Sequence, residues 1–381
     1  MEYRNFGRTN FKPSALGFGC MRLPQTPGED GGIDEPEATR MVRYAIDQGV
    51  NYFDTAWSYH GGQSEVFLGK ALQDGYREKV ALATKMPSWL IEKQEDFDHY
   101  FFTQLERLQT DHIDFYLLHT LNQNYWDTYC RLNVFDWAEK QLAEGRIRHL
   151  GFSFHDEYPV FEKILTGYDH WDFCQIQYNY MDTDYQAGER GLRLAAERGL
   201  GVVIMEPLKG GKLAIEVPPN PVKNVFNQAE TPRKPAEWAL QWLWNQPEVG
   251  LVLSGMSTWE QVDLNLISAS RSGVSRLSAD EVRIVEQARD AWQGLAPVAC
   301  THCEYCLPCP SDVLIPQIFA IYNNAMMYEQ QERGQRVYQS QIAEDNQADA
   351  CIECGTCESL CPQHLTIIDY LKDAHAYLSE R

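Results

Sequence analysis

Two groups of residues in this 381-residue chain have types and spacing that could do chemistry. The first is Asp54, Tyr59, Lys85 and His119. Asp54 lies near the end of one short apolar run, the next two runs end in Lys85 and His119, and Tyr59 follows Asp54 by five residues. A carboxylate, a phenol, an ammonium and an imidazole gathered in one place form a set for moving a proton. Each has a plainer reading when taken singly: a capping Asp, a solvated strand-end Lys, a hydrogen-bonded Tyr or His. Their placement at or near the ends of three successive runs makes a joint role the better reading. The second group is eight of the eleven cysteines. CIECGTCESLCP (351–362) spaces Cys351, Cys354, Cys357 and Cys361 as CxxCxxCxxxCP. CTHCEYCLPCP (300–310) spaces Cys300, Cys303, Cys306 and Cys309 one residue shorter at the end. Zinc ribbons pair two separate CxxC units, whereas four thiols in one such run form the pattern of iron–sulfur ligation. Disulfides do not suit a reducing cytosol.

The elements that must position these residues alternate. Short apolar runs at 14–19, 51–56, 80–85, 113–119, 149–154, 173–178, 201–206 and 250–255 read as eight strands, several apolar at consecutive positions as strands covered on both faces require. Helical spacing follows most of them, most clearly over Asp34 to Gln48, where Asp34 is the N-cap, Glu37 completes a capping box and Gly49 stops the helix. Trp57–Asp74, Asp96–Leu108, Trp126–Ala143, Ala187–Arg198 and Pro235–Trp244 fill equivalent slots. Eight such units within 300 residues, with no GxGxxG after the first strand, indicate an α/β fold: a (β/α)8 TIM barrel. The opening MEYRNFGRTNFKPS reads as a short hairpin closing the barrel's lower end. Chemistry in such barrels lies at the carboxyl ends of the strands.

A boundary near Pro297 divides the chain into a barrel at 1–296 and a small, mainly α-helical iron–sulfur domain at 297–381. The tail holds four Lys/Arg against twelve Asp/Glu, about twice the charge density of the rest. Composition is that of a globular protein, 44% hydrophobic and 23% charged. A net charge of −21 repels phosphate backbones and anionic lipid, so neither nucleic acid nor membrane is an expected partner. The chain has no apolar run of membrane-spanning length and no signal-peptide core at its start, and reads as cytoplasmic.

The stretches FGRTNFKPSALGFGCMRLP (6–24), DTAWSYHGGQSEVFLGKAL (54–72), ATK (83–85) and LLH (117–119) resemble the aldo-keto reductases over about residues 1–290. The whole chain is similar to a subgroup carrying a dicluster ferredoxin-like tail. The resemblance implies a barrel that binds NADP(H), with NAD(H) as the alternative, and reduces a small-molecule carbonyl. Tyr59 would donate the proton, Lys85 ease its release, Asp54 hold Lys85 charged and His119 orient the carbonyl oxygen. It also implies cofactor contacts at Gly19, Cys20, Met21, Asp54, Ser153, Gln177, Glu206, Leu208, Gly255, Ser257, Gln261 and Asn265. Two positions depart from the family pattern. Phe154 stands where an Asn follows the carboxamide serine, and Gln261 where many members have an arginine for the 2′-phosphate.

In the tail, a cysteine-proline ending suits a ligand that serves the other cluster. One [4Fe–4S] cluster is therefore assigned to Cys300, Cys303, Cys306 and Cys361, the other to Cys351, Cys354, Cys357 and Cys309. Two further functions stay open: cluster-mediated electron transfer with a ferredoxin-type partner, and a redox-sensing NADP(H)-binding regulator.

Overall fold

The computed structural model describes residues 1–28 and 32–379. Eight parallel strands close into one barrel in chain order. They are β1 (Leu16–Gly19), β2 (Tyr52–Asp54), β3 (Ala81–Met86), β4 (Ile113–Leu121), β5 (Ile147–Phe154), β6 (Phe173–Gln177), β7 (Gly201–Met205) and β8 (Leu251–Gly255). Closure is made by β1 against β8, with Gly19 paired to Gly255 on one side and to Asp54 of β2 on the other. The helix after β1 runs Glu35–Asp47. Asp34 caps it by accepting from the Glu37 N–H at 3.1 Å, while the Glu37 carboxylate turns to Arg40 instead of closing a capping box. The helical pattern at 126–143 is two helices, Gln123–Arg131 and Val134–Ala143. Asn133, at φ 52°, breaks them apart.

The opening segment is a hairpin. Tyr3 bridges Ser14 in antiparallel fashion, and Arg4 N–H donates to Pro13 O at 2.9 Å. It carries Phe6 into the barrel interior among Tyr52, Phe115, Phe173 and Leu251, with no exposure left. The glycines at 201 and 250 leave room for that ring: a Cβ on either would sit within 2.7 Å of it. Arg4 locks the hairpin in place, its guanidinium donating to the carbonyls of Trp244, Gln246 and Val249. A packed lower end leaves the upper mouth as the open face.

By compactness the chain divides into Met1–Glu216 with Arg233–Val285, and Val217–Pro232 with Glu286–Arg381. The second unit has its own core of Val313, Ile318, Phe319, Tyr338, Leu371 and Leu378 among others. Its two 13-residue helices, Ile315–Met327 and Ile367–Ser379, each begin six residues beyond a Cys-Pro cysteine, Cys309 and Cys361. The cysteine runs match as well. Positive φ falls at His302 and Glu353, at Glu304 and Gly355, and at Asp312 and His364. Asp312 N–H returns to Cys309 O and His364 N–H to Cys361 O, at 2.9 and 3.1 Å. The unit is one device built twice. Of the three cysteines outside the two runs, Cys20 and Cys174 are buried and Cys130 is exposed.

Candidate active site and cysteine sites

Strand ends bring the four proton-handling residues to one mouth. Asp54 is the last residue of β2 and Lys85 lies near the end of β3, both essentially without exposure. Lys85 Nζ donates to Asp54 Oδ1 at 2.6 Å and to the Thr55 carbonyl at 2.8 Å, and lies 3.4 Å from the Tyr59 hydroxyl. Tyr59 stands in a short turn, Tyr59–Gly62, in which His60 and Gly61 both have positive φ. His119 sits where the register of β4 against β5 shifts, between Leu118 and Leu121. Such an irregularity re-aims a side chain. Its ring meets Tyr59 edge-on at 6.3 Å and Trp89 at 5.2 Å.

Electrostatics follow from this packing. Burial pushes the Tyr59 phenol above its ordinary value, and the Lys85 ammonium pulls it only part of the way back. The resemblance implied an eased proton, and that pull is present but does not outweigh desolvation. Burial works against a charged Lys85, yet Asp54 and Tyr59 more than offset it, so the ammonium is held above its usual range. Burial likewise raises Asp54 against the opposing pull of Lys85. His119 is driven well below the ordinary imidazole value, first by burial, then by Lys85 and His155. Asp54 Oδ2 and His119 Nδ1 are buried without a hydrogen-bond partner.

The residues assigned to a cofactor lie around the same mouth on neighbouring staves. Gly19 ends β1 and Cys20 opens the short turn that follows it; the Cys20 thiol is buried beside Asp54 and Lys85, and Met21 is exposed. Ser153 Oγ, on β5, accepts from the Thr120 N–H at 2.7 Å and keeps its own proton to donate. Gln177, ending β6, reaches Asp182 at 3.4 Å. Glu206 follows β7 at φ 53°, with Leu208 in the turn beyond it. After β8, Gln261 Oε1 accepts from Ser257 N–H at 2.7 Å, while Ser257 Oγ donates to Arg22 O. Asn265 is buried and bonded to Ser254 Oγ, so it braces the strand end. Ser153 and Gln177 each combine a donor and an acceptor, which fits a carboxamide. Arg22, whose stem covers Gly255, adds a cation that the sequence did not flag. Trp89 and His155 were also missed, since nothing in linear spacing ties them to His119.

The cysteines gather across the two runs. An open recess is lined by Cys300, Cys303, Cys306 and Cys361, with Ile315, Phe319, Leu365 and Ile367 among its walls. Cys361 lies close enough to Cys300 and Cys306 to act on their thiols electrostatically, and Cys309 and Cys351 do the same to Cys357. Among the described residues no group of three or more His, Cys, Asp or Glu is drawn together as a site for a metal ion. A zinc needs its ligands about 2 Å from one centre, whereas thiols spread around a recess fit a cluster.

The barrel, its mouth and the appended unit define a class. Residues 15–290 match the aldo/keto reductase family and residues 299–366 a 4Fe-4S dicluster domain. The chain belongs to the aldo/keto reductase family and is an oxidoreductase with a C-terminal dicluster domain. Probable aldo-keto reductase 1 of Glycine max is 28% identical over 294 residues, spanning 68% of this chain and 82% of that one. L-galactose dehydrogenase of Arabidopsis thaliana is 27% identical over 298 residues, 71% of this chain and 88% of that protein. Among solved structures, the holo form of aldo-keto reductase AKR11C1 from Bacillus halodurans superposes with a TM-score of 0.63 at 29% identity. It covers 76% of this chain and 96% of its own. No helix among the described residues is long and apolar enough to cross a membrane.

Proposed function

We propose that the barrel, residues 1–296, reduces an aldehyde or ketone to an alcohol, with Tyr59 as proton donor. The observation that carries this reading is the buried Lys85 ammonium, bonded to Asp54 at 2.6 Å and 3.4 Å from the Tyr59 hydroxyl. Bound NADP(H), or NAD(H), supplies the hydride. Ser153, Gln177 and the segment from the end of β8 into the helix Trp259–Ser270, with Gly255, Ser257 and Gln261, would hold it. The chain's own residues handle the oxygen. The Tyr59 O–H and neutral His119 meet the negative charge that develops on the carbonyl oxygen, and Tyr59 delivers its proton there. Lys85 stabilises the phenolate left behind, and Asp54 keeps Lys85 charged throughout. His119 serves as a neutral donor, because burial and the Lys85 charge both disfavour its protonation.

Tyr59→Phe tests the assignment. Loss of a positioned proton donor costs roughly 10²–10⁴ in kcat, while affinity for the nucleotide should stay within a few fold. Retention of more than a tenth of the wild-type kcat on an aldehyde panel removes Tyr59 from the role.

For residues 297–381 the reading is two [4Fe–4S] clusters, one on Cys300, Cys303, Cys306 and Cys361, the other on Cys351, Cys354, Cys357 and Cys309. Anaerobically prepared protein should then contain about eight iron and eight sulfide per chain. About four iron, or zinc instead, would leave one run without a cluster. A ferredoxin-type electron-transfer partner is the accompanying expectation for this unit.

A further inference from the structure

We propose that Glu65 is a positioning residue that fixes the Tyr59 hydroxyl against the Lys85 ammonium; this rests on the reading of Tyr59 as proton donor. The two groups come from different elements, the phenol from the turn after β2 and the ammonium from β3. Their 3.4 Å separation therefore needs a link between turn and strand. Glu65 lies on the helix that follows the turn, Gln63–Ala71, and has no exposure.

A buried carboxylate is costly unless its oxygens are satisfied, and here they are satisfied from both sides. Oε1 accepts from Thr84 Oγ1 and from Gln104 Nε2, each at 2.6 Å. Thr84 precedes Lys85, and the same Gln104 nitrogen reaches the Lys85 carbonyl at 2.9 Å. The Gln104 oxygen accepts from Tyr116 at 2.7 Å, so this amide has no freedom to turn over. That side of Glu65 grips the strand. Oε2 takes Arg107 Nη1 at 3.1 Å, and the Arg107 guanidinium lies 3.6 Å from the centre of the Trp57 ring. Trp57 is two residues before Tyr59, so this side grips the acid's turn through a cation–π contact. The other deeply buried side chains of the helix include Phe67, Leu68 and Ala71, and packing alone gives no reason for a carboxylate among them.

Glu65→Gln tests the link, with Arg107→Lys, Arg107→Met and Tyr59→Phe measured in the same full-length protein after thermal melts. An amide at position 65 presents a donor to groups that are themselves donors, which loosens the strand from the turn. The expected result is a tenfold or greater fall in kcat. KM and the NADPH dissociation constant, read by quenching of tryptophan fluorescence, should stay within threefold. The alkaline limb of kcat should move to higher pH, because the ammonium that favours ionisation of Tyr59 has drifted from it. Arg107→Lys keeps the ion pair with Glu65 and should retain more activity than Arg107→Met. A folded Glu65→Gln protein with kcat within twofold of wild type overturns the proposal. So does a fall in kcat matched by an equal loss of NADPH affinity with the pH limb unmoved. If Glu65→Gln does not fold, the Arg107 pair decides, and equal kcat in Arg107→Met and wild type overturns it. Activity surviving in Tyr59→Phe would instead unseat the donor reading, whatever Glu65→Gln does.

Discussion

In the barrel mouth, Lys85, Asp54 and Tyr59 hold one another at hydrogen-bonding distances through the protein's own bonds, inside a shell of buried polar groups. In the second unit, Cys300, Cys303, Cys306 and Cys361 line a recess, and among the described residues no hydrogen bond joins one thiol to another. Both sites are assembled from segments far apart in sequence. The barrel stores its order in a buried ion pair, while the cysteine unit leaves its order to be completed by what binds. Damage should therefore spread differently. In the barrel it strands a charge, and in the cysteine unit it frees a ligand.

The largest effect should come from Lys85→Met. It removes the partner of a buried carboxylate, and breaking such a pair costs about 3–5 kcal/mol unless the remaining group takes up a proton. With Lys85 gone, nothing opposes the burial that raises Asp54, so Asp54 should become neutral and recover part of that cost. Thermal melts should show a fall in Tm that lessens toward acid pH, alongside loss of carbonyl reduction. A Tm unchanged at pH 8 would mean that the pair is not the source of local order.

Cys361→Ser comes next. Cys361 lines the recess of Cys300, Cys303 and Cys306, so iron should be lost from that set first, although Cys361 lies in the other run. The barrel should still bind NADP(H), since its fold rests on its own eight strands. Spectra showing damage confined to the cluster of Cys351, Cys354 and Cys357 would refute the exchange of ligands between runs.

A smaller effect is the shape of a pH profile. Tyr59 is displaced upward from about 10 and His119 well downward from about 6.5. Tyr59 therefore stays protonated below its raised value, and His119 stays neutral above its depressed one. The single-turnover rate of carbonyl reduction should be level from about pH 6.5 to 9. A midpoint inside that window would assign the proton to another group.

The sequence was most legible where one element decides the matter. The eight apolar runs lie within a few residues of the observed strands, because continuous burial on both faces leaves a local signature. The Asp34 cap was legible for the same reason. Glu65, Arg107 and Trp89 were not, since their roles depend on strands and helices meeting across tens of residues. In the cysteine runs, Gly355 announces a left-handed residue, but its counterpart Glu304 takes the same conformation without any compositional sign. The duplication of the unit was hidden likewise: its halves share backbone turns and helix length more than side chains.

That duplication permits the finest comparison, between two copies of one turn. Beyond Cys354, Thr356 has its hydroxyl 3.5 Å from the Cys354 sulfur. Tyr305 holds the corresponding position beyond Cys303, and its side chain is largely exposed. A thiolate ligand has no proton, so the Thr356 O–H would donate to sulfur, and hydrogen bonds to cluster sulfurs shift reduction potentials. Such a bond stabilises the more electron-rich state and so raises the potential. Thr356→Val keeps the side chain's shape and removes the donor. One of the two potentials should fall by roughly 20–60 mV, within a factor of about ten in the one-electron equilibrium. The other should not move. Redox titration followed by electron paramagnetic resonance separates the two: a shift in both would mean that the substitution acts on the whole unit, and a shift in neither that solvent replaces the hydroxyl without loss.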